Sequence, residues 1–353
     1  MSTVIDGSLG ITYPDSSNQP AASSPYTLKN RIINGSMQID QRNAGASVTI
    51  TDTANNTYTL DRWFAYGQIA SKFSVQQNAG SVTPSTGFTN YLGVTSLSAY
   101  TVGAGEVFVI GQQVEGLNVS DLAWGTASAK TVTLSFQVYS SLTGTFGGAL
   151  QNSAQNRSYP FSYTVSSANT WTTVSVTIAG DTTGTWLTTN GVGIRIFFSL
   201  GVGATNSGTA GSWAGATYWS ATGATSVVGT NGATFYITGV QLEQNTSATP
   251  FERRLYDKEF ISCQRYYETS ANDISQWNGN CTSGSQYQVC PTFAVTKRAA
   301  PGCTATTVFV NGFASTDPII YSTSVYSIST YKNSTSSVNG GYYQFKWTAS
   351  AEL

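Results

Sequence analysis

Strict alternation of apolar and polar side chains is the feature that most restricts how this chain can fold. In residues 131–138 every second side chain is apolar, namely Val132, Leu134, Phe136 and Val138. Successive side chains of a strand point to opposite faces, whereas a helix repeats every 3.6 residues. The segment therefore predicts a β-strand with one buried face and one polar face.

Several other segments repeat this signal at short intervals. Thr172–Ile178 alternates in the same way, and Val192–Leu200 and Thr234–Leu242 are more continuously apolar, which predicts central strands. Turn signals such as Asn190-Gly191 separate these segments. Many short strands with almost no helical period predict an all-β chain with a jelly-roll β-sandwich over residues 31–249.

A long segment within this region carries no strand signal. Residues 201–232 are rich in Gly, Ala, Thr and Ser and contain Trp213, Tyr218 and Trp219. We interpret the segment as a loop at one end of the sandwich, and long loops in compact domains are usually functional or mobile.

The composition excludes several kinds of function. Histidine is absent, so Ser-His-Asp and Cys-His catalysis and imidazole zinc sites are excluded. The net charge is −1, and the only basic residues between Lys72 and Pro250 are Lys130, Arg157 and Arg195, too few for a nucleic-acid partner. Charged residues are 9% of the chain against about 25% in ordinary soluble proteins, which suits faces covered by sister subunits or an extracellular protein. No cofactor and no metal are expected.

The N-terminal residues 1–30 are polar and interrupted by prolines, which predicts an extended attachment arm. Short runs in it, such as Gly10–Tyr13, are candidates for pairing with strands of other chains. The start shows no signal peptide, and no apolar stretch is long enough to insert into a membrane. A polar β protein without an export signal fits assembly in a host cytoplasm.

The character changes at Thr249. Thr249 and Glu252 are placed as in a capping box, with Pro250 at the first helical position, which predicts one short helix near 250–265 within a connecting segment 250–269. β patterning returns in residues 270–353, where candidate strands at 287–295, 306–310, 319–326 and 342–347 predict a smaller C-terminal β domain.

Four cysteines lie in this last quarter: Cys263, Cys281, Cys290 and Cys303. Their irregular gaps do not favour a metal site, and buried thiols are favoured over a disulfide staple, although both remain open.

Several segments, in order, resemble tail-fibre and minor structural proteins of tailed bacteriophages. They are residues 5–15 (IDGSLGITYPD), residues 30–42 (NRIINGSMQIDQR), residues 58–63 (YTLDRW), residues 239–243 (GVQLE), residues 248–254 (ATPFERR), residues 263–267 (CQRYY) and residues 298–301 (RAAP). The order and spacing of these markers carry the resemblance.

The resemblance implies a carbohydrate-binding-module-like jelly roll on a virion appendage, usually a homotrimer, with no shared catalytic motif. We therefore expect a structural fibre protein that takes part in host attachment and is located in the virion, assembled in the cytoplasm and later extracellular. Residues 1–30 would bind tail, baseplate or capsid proteins. The alternatives are a glycan-binding receptor-recognition module and, less favoured, a polysaccharide-degrading tailspike.

Two sets of aromatic residues could form a glycan surface. One set is Trp213, Tyr218 and Trp219 in the long loop, and the other includes Tyr342 and Tyr343 near the C-terminus. Rings of this kind can stack on the apolar faces of sugars. Tyr and Trp are equally enriched at subunit interfaces, and packing within a trimer is the favoured interpretation.

The Asp61-Arg62-Trp63 corner also permits two interpretations. It could grip a sugar, because arginine stacks on rings and binds carboxylates. We favour a structural role, as for Thr249 and Glu252. Glu106 and Glu115 flank the strand at 107–110 but lack any supporting glycosidase signature, so we expect no enzyme.

Overall fold

The computed structural model describes residues 4–6, 10–12, 14, 18–19, 29–270 and 273–353. Three short strands lie in the predicted arm: β1 (Val4–Asp6), β2 (Gly10–Thr12) and β3 (Asn18–Gln19). β2 pairs antiparallel with both β1 and β3. The described part of the Gly10–Tyr13 run therefore pairs within its own chain. Tyr13 and residues 20–28 lie outside the described residues.

Fourteen strands follow before residue 250. They are β4 (Val48–Thr49), β5 (Thr57–Leu60), β6 (Trp63–Gly67), β7 (Phe73–Gln77), β8 (Leu92–Ser96), β9 (Val107–Glu115), β10 (Val132–Ser140), β11 (Gly144–Gln151), β12 (Ser158–Val165), β13 (Thr172–Ile178), β14 (Val192–Val202), β15 (Ser207–Gly208), β16 (Ser220–Ala221) and β17 (Thr234–Glu243). Short 3-10 helices span Ala79–Ser81, Gly116–Asn118, Ser120–Leu122 and Ala204–Asn206.

Twelve of these strands form two six-stranded antiparallel sheets. Sheet 1 has the order β13-β10-β17-β8-β7-β4, and sheet 2 has the order β12-β11-β14-β9-β6-β5. Their facing sides enclose one apolar core, in which the ring of Phe136 from sheet 1 lies 5.0 Å from that of Phe198 from sheet 2. The chain is an all-β protein built around a jelly-roll β-sandwich, as the sequence predicts.

The alternation patterns correspond closely to the strands. On β10 the four apolar side chains of residues 131–138 are at most 1% exposed. β14 and β17, predicted as central, each lie between two neighbours in their sheet. Residues 201–232 form mainly loop, with only β15 and β16 pairing inside it.

The C-terminal part contains one helix and seven strands. They are α1 (Tyr256–Gln264), β18 (Tyr267–Thr269), β19 (Ser275–Cys281), β20 (Gln286–Val289), β21 (Gly302–Asn311), β22 (Ile319–Thr323), β23 (Ile328–Asn333) and β24 (Val338–Ser350). β24 pairs with β18 and β19 on one side and with β21 on the other, forming sheet 3. Sheet 4 has the order β20-β23-β22. The two sheets enclose a separate core that includes Tyr343, Phe345 and Trp347.

The helix is shorter than the sequence predicts, and the capping box is wrong. α1 begins at Tyr256, after an N-cap residue, Leu255, that makes no side-chain cap. The Thr249 hydroxyl instead donates to Glu243 Oε2 at 2.7 Å. Glu252 accepts the backbone N–H groups of Lys29 and Asn30 at 3.0 and 2.9 Å, so these two side chains tie the segment to the sandwich.

The four cysteines are free thiols, with Cys263 and Cys281 buried, Cys303 partly buried and Cys290 exposed. The C-terminal core is therefore held by packing and not by a disulfide staple. Within the described ranges, no helix is long and apolar enough to cross a membrane.

Candidate glycan-binding face

Two adjacent cross-strand rows cover part of the outer side of sheet 2. In the first row, Gln151 of β11 lies opposite Arg195 of β14, and Arg195 lies opposite Gln113 of β9. We call these three residues the polar row. The side chains of the polar row point to the outer side of sheet 2, because the alternate positions of β14, Ile194 and Ile196, point into the buried core.

The second row, two residues along each strand, is aromatic. Phe197 of β14 and Phe64 of β6 lie on either side of Gly111, and Tyr58 of edge strand β5 lies opposite Phe64. The Phe64 and Phe197 ring centroids are 6.0 Å apart. A Cβ atom at position 111 would collide with the backbone oxygen of Ile196 and press on both rings, so glycine is required there.

Trp219, from the long loop, lies on this aromatic row. Its ring centroid is 4.4 Å from that of Phe197 and 6.1 Å from that of Tyr66, which it stacks at an interplanar angle of 25°. The backbone N–H of Trp219 donates to Asn206 O at 2.8 Å, and Gln151 Nε2 donates to Tyr218 O at 2.7 Å. The loop therefore holds a partly exposed indole in a fixed place.

The polar row has unused hydrogen-bonding capacity. Gln113 Oε1, Gln151 Oε1, Arg195 Nε and the nearby Ser199 Oγ are buried and have no hydrogen-bond partner among the described residues. Burial also lowers the pKa of Arg195. Unpartnered polar atoms of this kind cost free energy. Gln113 and Gln151 are buried, whereas Arg195 is partly exposed, so Arg195 is the member of the row that a ligand on this face can reach.

The other aromatic residues predicted in the long loop lie elsewhere. Trp213 packs edge-on against Trp124 and Trp186, at 5.3 and 5.4 Å, and its Nε1 donates to Ala179 O at 2.7 Å. It therefore extends the sandwich core. The Tyr218 ring covers the backbone at Gly208.

Tyr342 and Tyr343 are neighbours on β24 and point to opposite faces. Tyr343 is 0% exposed, and its hydroxyl donates to Tyr287 O at 3.1 Å, so it offers no ring face to a sugar. Tyr342 lies on the outer side of sheet 3, opposite Asn278 and Asn311. The structure therefore brings neither tyrosine together with Trp219.

The Asp61-Arg62-Trp63 corner faces inward. Arg62 has a left-handed backbone with φ of 70°, and its guanidinium lies 3.6 Å from the Tyr266 ring centroid. It forms an ion pair with Glu352 and donates to Gln113 O. Its donors are thus directed at protein groups.

The flanking residues of the corner are equally occupied. Asp61 accepts the backbone N–H and the Nε2 of Gln41 at 2.6 and 2.8 Å, and burial raises the pKa of Asp61 to about 6. Trp63 Nε1 donates to Asn34 O at 3.0 Å. The corner contains no group directed at solvent, which agrees with the structural interpretation.

Two clefts of about 290 and 470 Å³ lie beside Arg254, near α1. Arg254 Nη1 donates to Glu259 Oε2 and to Ile32 O, both at 3.2 Å. We do not place the site there, because the central charge is already paired. The described residues contain no cluster of three or more carboxylate or thiol groups that could hold a metal ion.

Glu106 and Glu115 are not arranged as a glycosidase pair. They stand at opposite ends of β9, about 30 Å apart at the usual rise of a strand, whereas paired catalytic carboxylates lie about 5–10 Å apart. Glu106 accepts from Tyr100 and Gly103, and Glu115 accepts from Arg265 and Tyr266.

Sequence reasoning missed Arg195, Gln113, Gln151, Tyr58 and Tyr66. The sequence feature that could have indicated Arg195 is that it is the one charged residue within Val192–Leu200. A lone arginine in an otherwise apolar central strand must point to the outer face of its sheet. Grouping it with Gln113 and Gln151 required the register between strands that are distant in sequence.

No family model matches the chain, and no curated protein matches it. The tail-fibre resemblance of the sequence markers therefore stays a prediction. Among solved structures, the enzymatically active domain of bacteriophage CBA120 tailspike protein 4 is similar over 62% of this chain, with 11% identity and a TM-score of 0.32. This chain spans 22% of that tailspike chain.

Two further solved structures are similar over comparable lengths. The similarity to a CBM4 structure covers 60% of this chain and 98% of the CBM4 chain, with 16% identity and a TM-score of 0.31. The family 11 carbohydrate-binding module from Clostridium thermocellum covers 57% and 97%, with 12% identity and a TM-score of 0.28. At these scores, none of the three similarities bears on particular residues of this chain.

Proposed function

We propose that this chain is a non-catalytic attachment protein that binds a glycan on the outer side of sheet 2. The observation that carries the proposal is the partly exposed Trp219 ring on the same outer side of sheet 2 as the partly exposed Arg195. Sugars present both an apolar ring face and a rim of polar groups. An aromatic ring near a guanidinium group is complementary to both.

The second part of the proposal is location. The ordered sequence markers and the 9% charge content support an appendage of a tailed-phage virion, with residues 1–30 as the attachment segment. Immunogold labelling of purified particles would test this part. Label on tail or baseplate supports it, and particles that lack the chain contradict it.

We expect Trp219→Ala to weaken glycan binding at least about tenfold, since removing an aromatic anchor from a recognition site typically costs about 2 kcal/mol or more and a tenfold loss of affinity corresponds to about 1.4 kcal/mol. Binding would be measured on an array of bacterial surface glycans and then by calorimetry on those that bind. Trp213→Ala is the matched control, because it removes the same side chain from the same loop at a place where the ring packs on Trp124 and Trp186 and not on Phe197. The control should lower the melting temperature and leave the affinity unchanged. Equal affinities for wild type and Trp219→Ala would contradict the site.

A second function, self-assembly, is favoured by the outer face of sheet 4. Ile319 and Tyr321 of β22 are 54% and 69% exposed, and Ile319 lies opposite Tyr331 on β23. Neighbouring apolar side chains exposed on a sheet commonly mark an interaction surface. We propose that this face contributes to a homotrimer.

The paired change Ile319→Asp with Tyr321→Asp is expected to shift the assembly to monomers, because three copies of the new charges would meet in a desolvated contact. Light scattering at micromolar concentration would measure the mass. Ser322→Asp, an exposed position on the same strand, is the control and should leave the mass unchanged. A wild-type protein that is monomeric under these conditions would contradict the trimer.

A further inference from the structure

Arg195 differs from the arginines around it. Arg62 and Arg42 both form ion pairs with Glu352, and Arg265 forms one with Glu115. Within the part of the chain that the structure describes, no carboxylate oxygen lies within 4.0 Å of the Arg195 guanidinium. Arg195 is nevertheless partly buried. Its Nε is buried without a partner, as are those of Arg42 and Arg62, so the missing carboxylate is what sets Arg195 apart.

A partly buried charge without a counter-ion is costly, and protein interiors normally pair such groups. Its cross-strand neighbours, Gln113 and Gln151, are neutral and supply no negative charge. The nearby Tyr58 hydroxyl donates to Leu353 O at 2.9 Å and is neutral as well. Arg298, another neighbour of Tyr58, donates to backbone carbonyls only. Among the described residues, the Arg195 guanidinium is therefore left without an ion-pair partner.

We propose that the ligand of this face is an acidic glycan, whose carboxylate or phosphate group is bound by Arg195 while a sugar ring stacks near Trp219. This inference rests on the proposed glycan-binding function and adds the charge class of the ligand. The planar guanidinium fork matches carboxylate and phosphate oxygens in two-point contact.

The test uses matched pairs of probes that differ only in charge. Oligogalacturonate and its methyl ester differ in the carboxylate, and phosphomannan oligosaccharides and their dephosphorylated forms differ in the phosphate. We expect the full-length protein to bind the charged member of one pair at least about tenfold more tightly than the neutral member. Preference within the first pair identifies a carboxylate ligand, and preference within the second identifies a phosphate ligand.

The variants are Arg195→Gln, Arg195→Lys and, as control, Lys130→Gln. Lys130 is exposed, so its replacement changes the net charge equally without touching the face. Arg195→Gln should reduce the charged-over-neutral preference at least about tenfold, Arg195→Lys should retain part of it, and Lys130→Gln should retain all of it. Arg195→Gln should also melt at the same or a higher temperature than wild type, because it removes an unpaired charge.

The outcomes separate the two proposals. Equal wild-type affinity for both members of each pair would overturn the acidic-ligand inference and leave glycan binding standing. No binding to any member would overturn the acidic-ligand inference, and no binding to any glycan of the surface-glycan array would overturn glycan binding as well. A lower melting temperature for Arg195→Gln, with an unchanged preference, would show that Arg195 is a structural residue and would also overturn the inference.

Discussion

Replacing Glu115 with alanine is expected to lower the free energy of unfolding by about 3 kcal/mol, because it leaves a buried hydroxyl and a guanidinium without their acceptor. Glu115 is 1% exposed at the end of β9. It accepts from Arg265 Nε and Nη2 at 3.0 and 2.7 Å and from the Tyr266 hydroxyl at 2.5 Å. These bonds connect the jelly roll to the segment that follows α1.

Several features keep the expected loss of unfolding free energy near the lower end of the range for breaking a buried ion pair. The Arg265 side chain is 33% exposed, so water replaces part of what it loses, whereas Tyr266 is 0% exposed and cannot be rehydrated. Burial alone would raise the pKa of Glu115, but the bonds from Arg265 and Tyr266 outweigh it, and the pKa is lowered. Glu115→Gln should therefore cost less than alanine, since it keeps one acceptor oxygen.

Urea denaturation followed by fluorescence would measure the effect. Glu106→Ala is the matched control at the other end of β9, where the carboxylate is partly exposed and binds only Gly103 N and the Tyr100 hydroxyl. We expect the control to cost about 1 kcal/mol. Equal losses for the two variants would show that the contact between the jelly roll and the C-terminal part does not depend on Glu115.

The fold could be predicted from the sequence where the alternation within a single strand determines which of its side chains are buried. On β10 and β13 the alternation is local, so the predicted strands correspond to the observed ones within two residues. The helix was extended too far toward its N-terminus because Thr249 and Glu252 satisfy a local rule that tertiary partners override. Glu243, six residues before Thr249, takes the Thr249 hydroxyl, and the backbone N–H groups of Lys29 and Asn30, 223 and 222 residues away in sequence, take Glu252.

The site was only partly predictable for a related reason. Trp219 could be named because a tryptophan in a glycine-rich loop is conspicuous, but Trp213 carries the same local signal and packs against Trp124 at the edge of the core. Both indoles stay partly exposed, and which of them lies on the outer side of sheet 2 depends on what lies beneath the loop, namely Phe197 for Trp219 and Trp124 for Trp213. That choice is set by long-range sheet register, which composition and periodicity do not contain.

The stability of the protein is expected to fall by about 2 kcal/mol between pH 4 and pH 7 through the titration of Asp61 alone. Burial raises the pKa of this carboxyl from 3.8 to about 6. Between these values the folded chain holds a proton that the unfolded chain has released. Raising the pH therefore favours the unfolded chain in that window, and the effect levels off above the folded pKa.

Asp61→Asn removes the titration and keeps the shape of the side chain. Urea denaturation of wild type and variant at pH 4, 5, 6 and 7 would isolate the contribution of Asp61, with the variant gaining relative to wild type as the pH rises. Asp52→Asn is the control, because Asp52 is exposed and the backbone N–H groups of Ala54 and Asn55 lower its pKa, so that its titration lies at the acid end of the window and the difference from wild type should stay nearly constant from pH 5 to pH 7. A difference between wild type and Asp61→Asn that stays constant from pH 4 to pH 7 would mean that the buried carboxyl ionises as readily as in water. In that case, the two N–H donors of Gln41 would have to stabilise the charge fully against its burial.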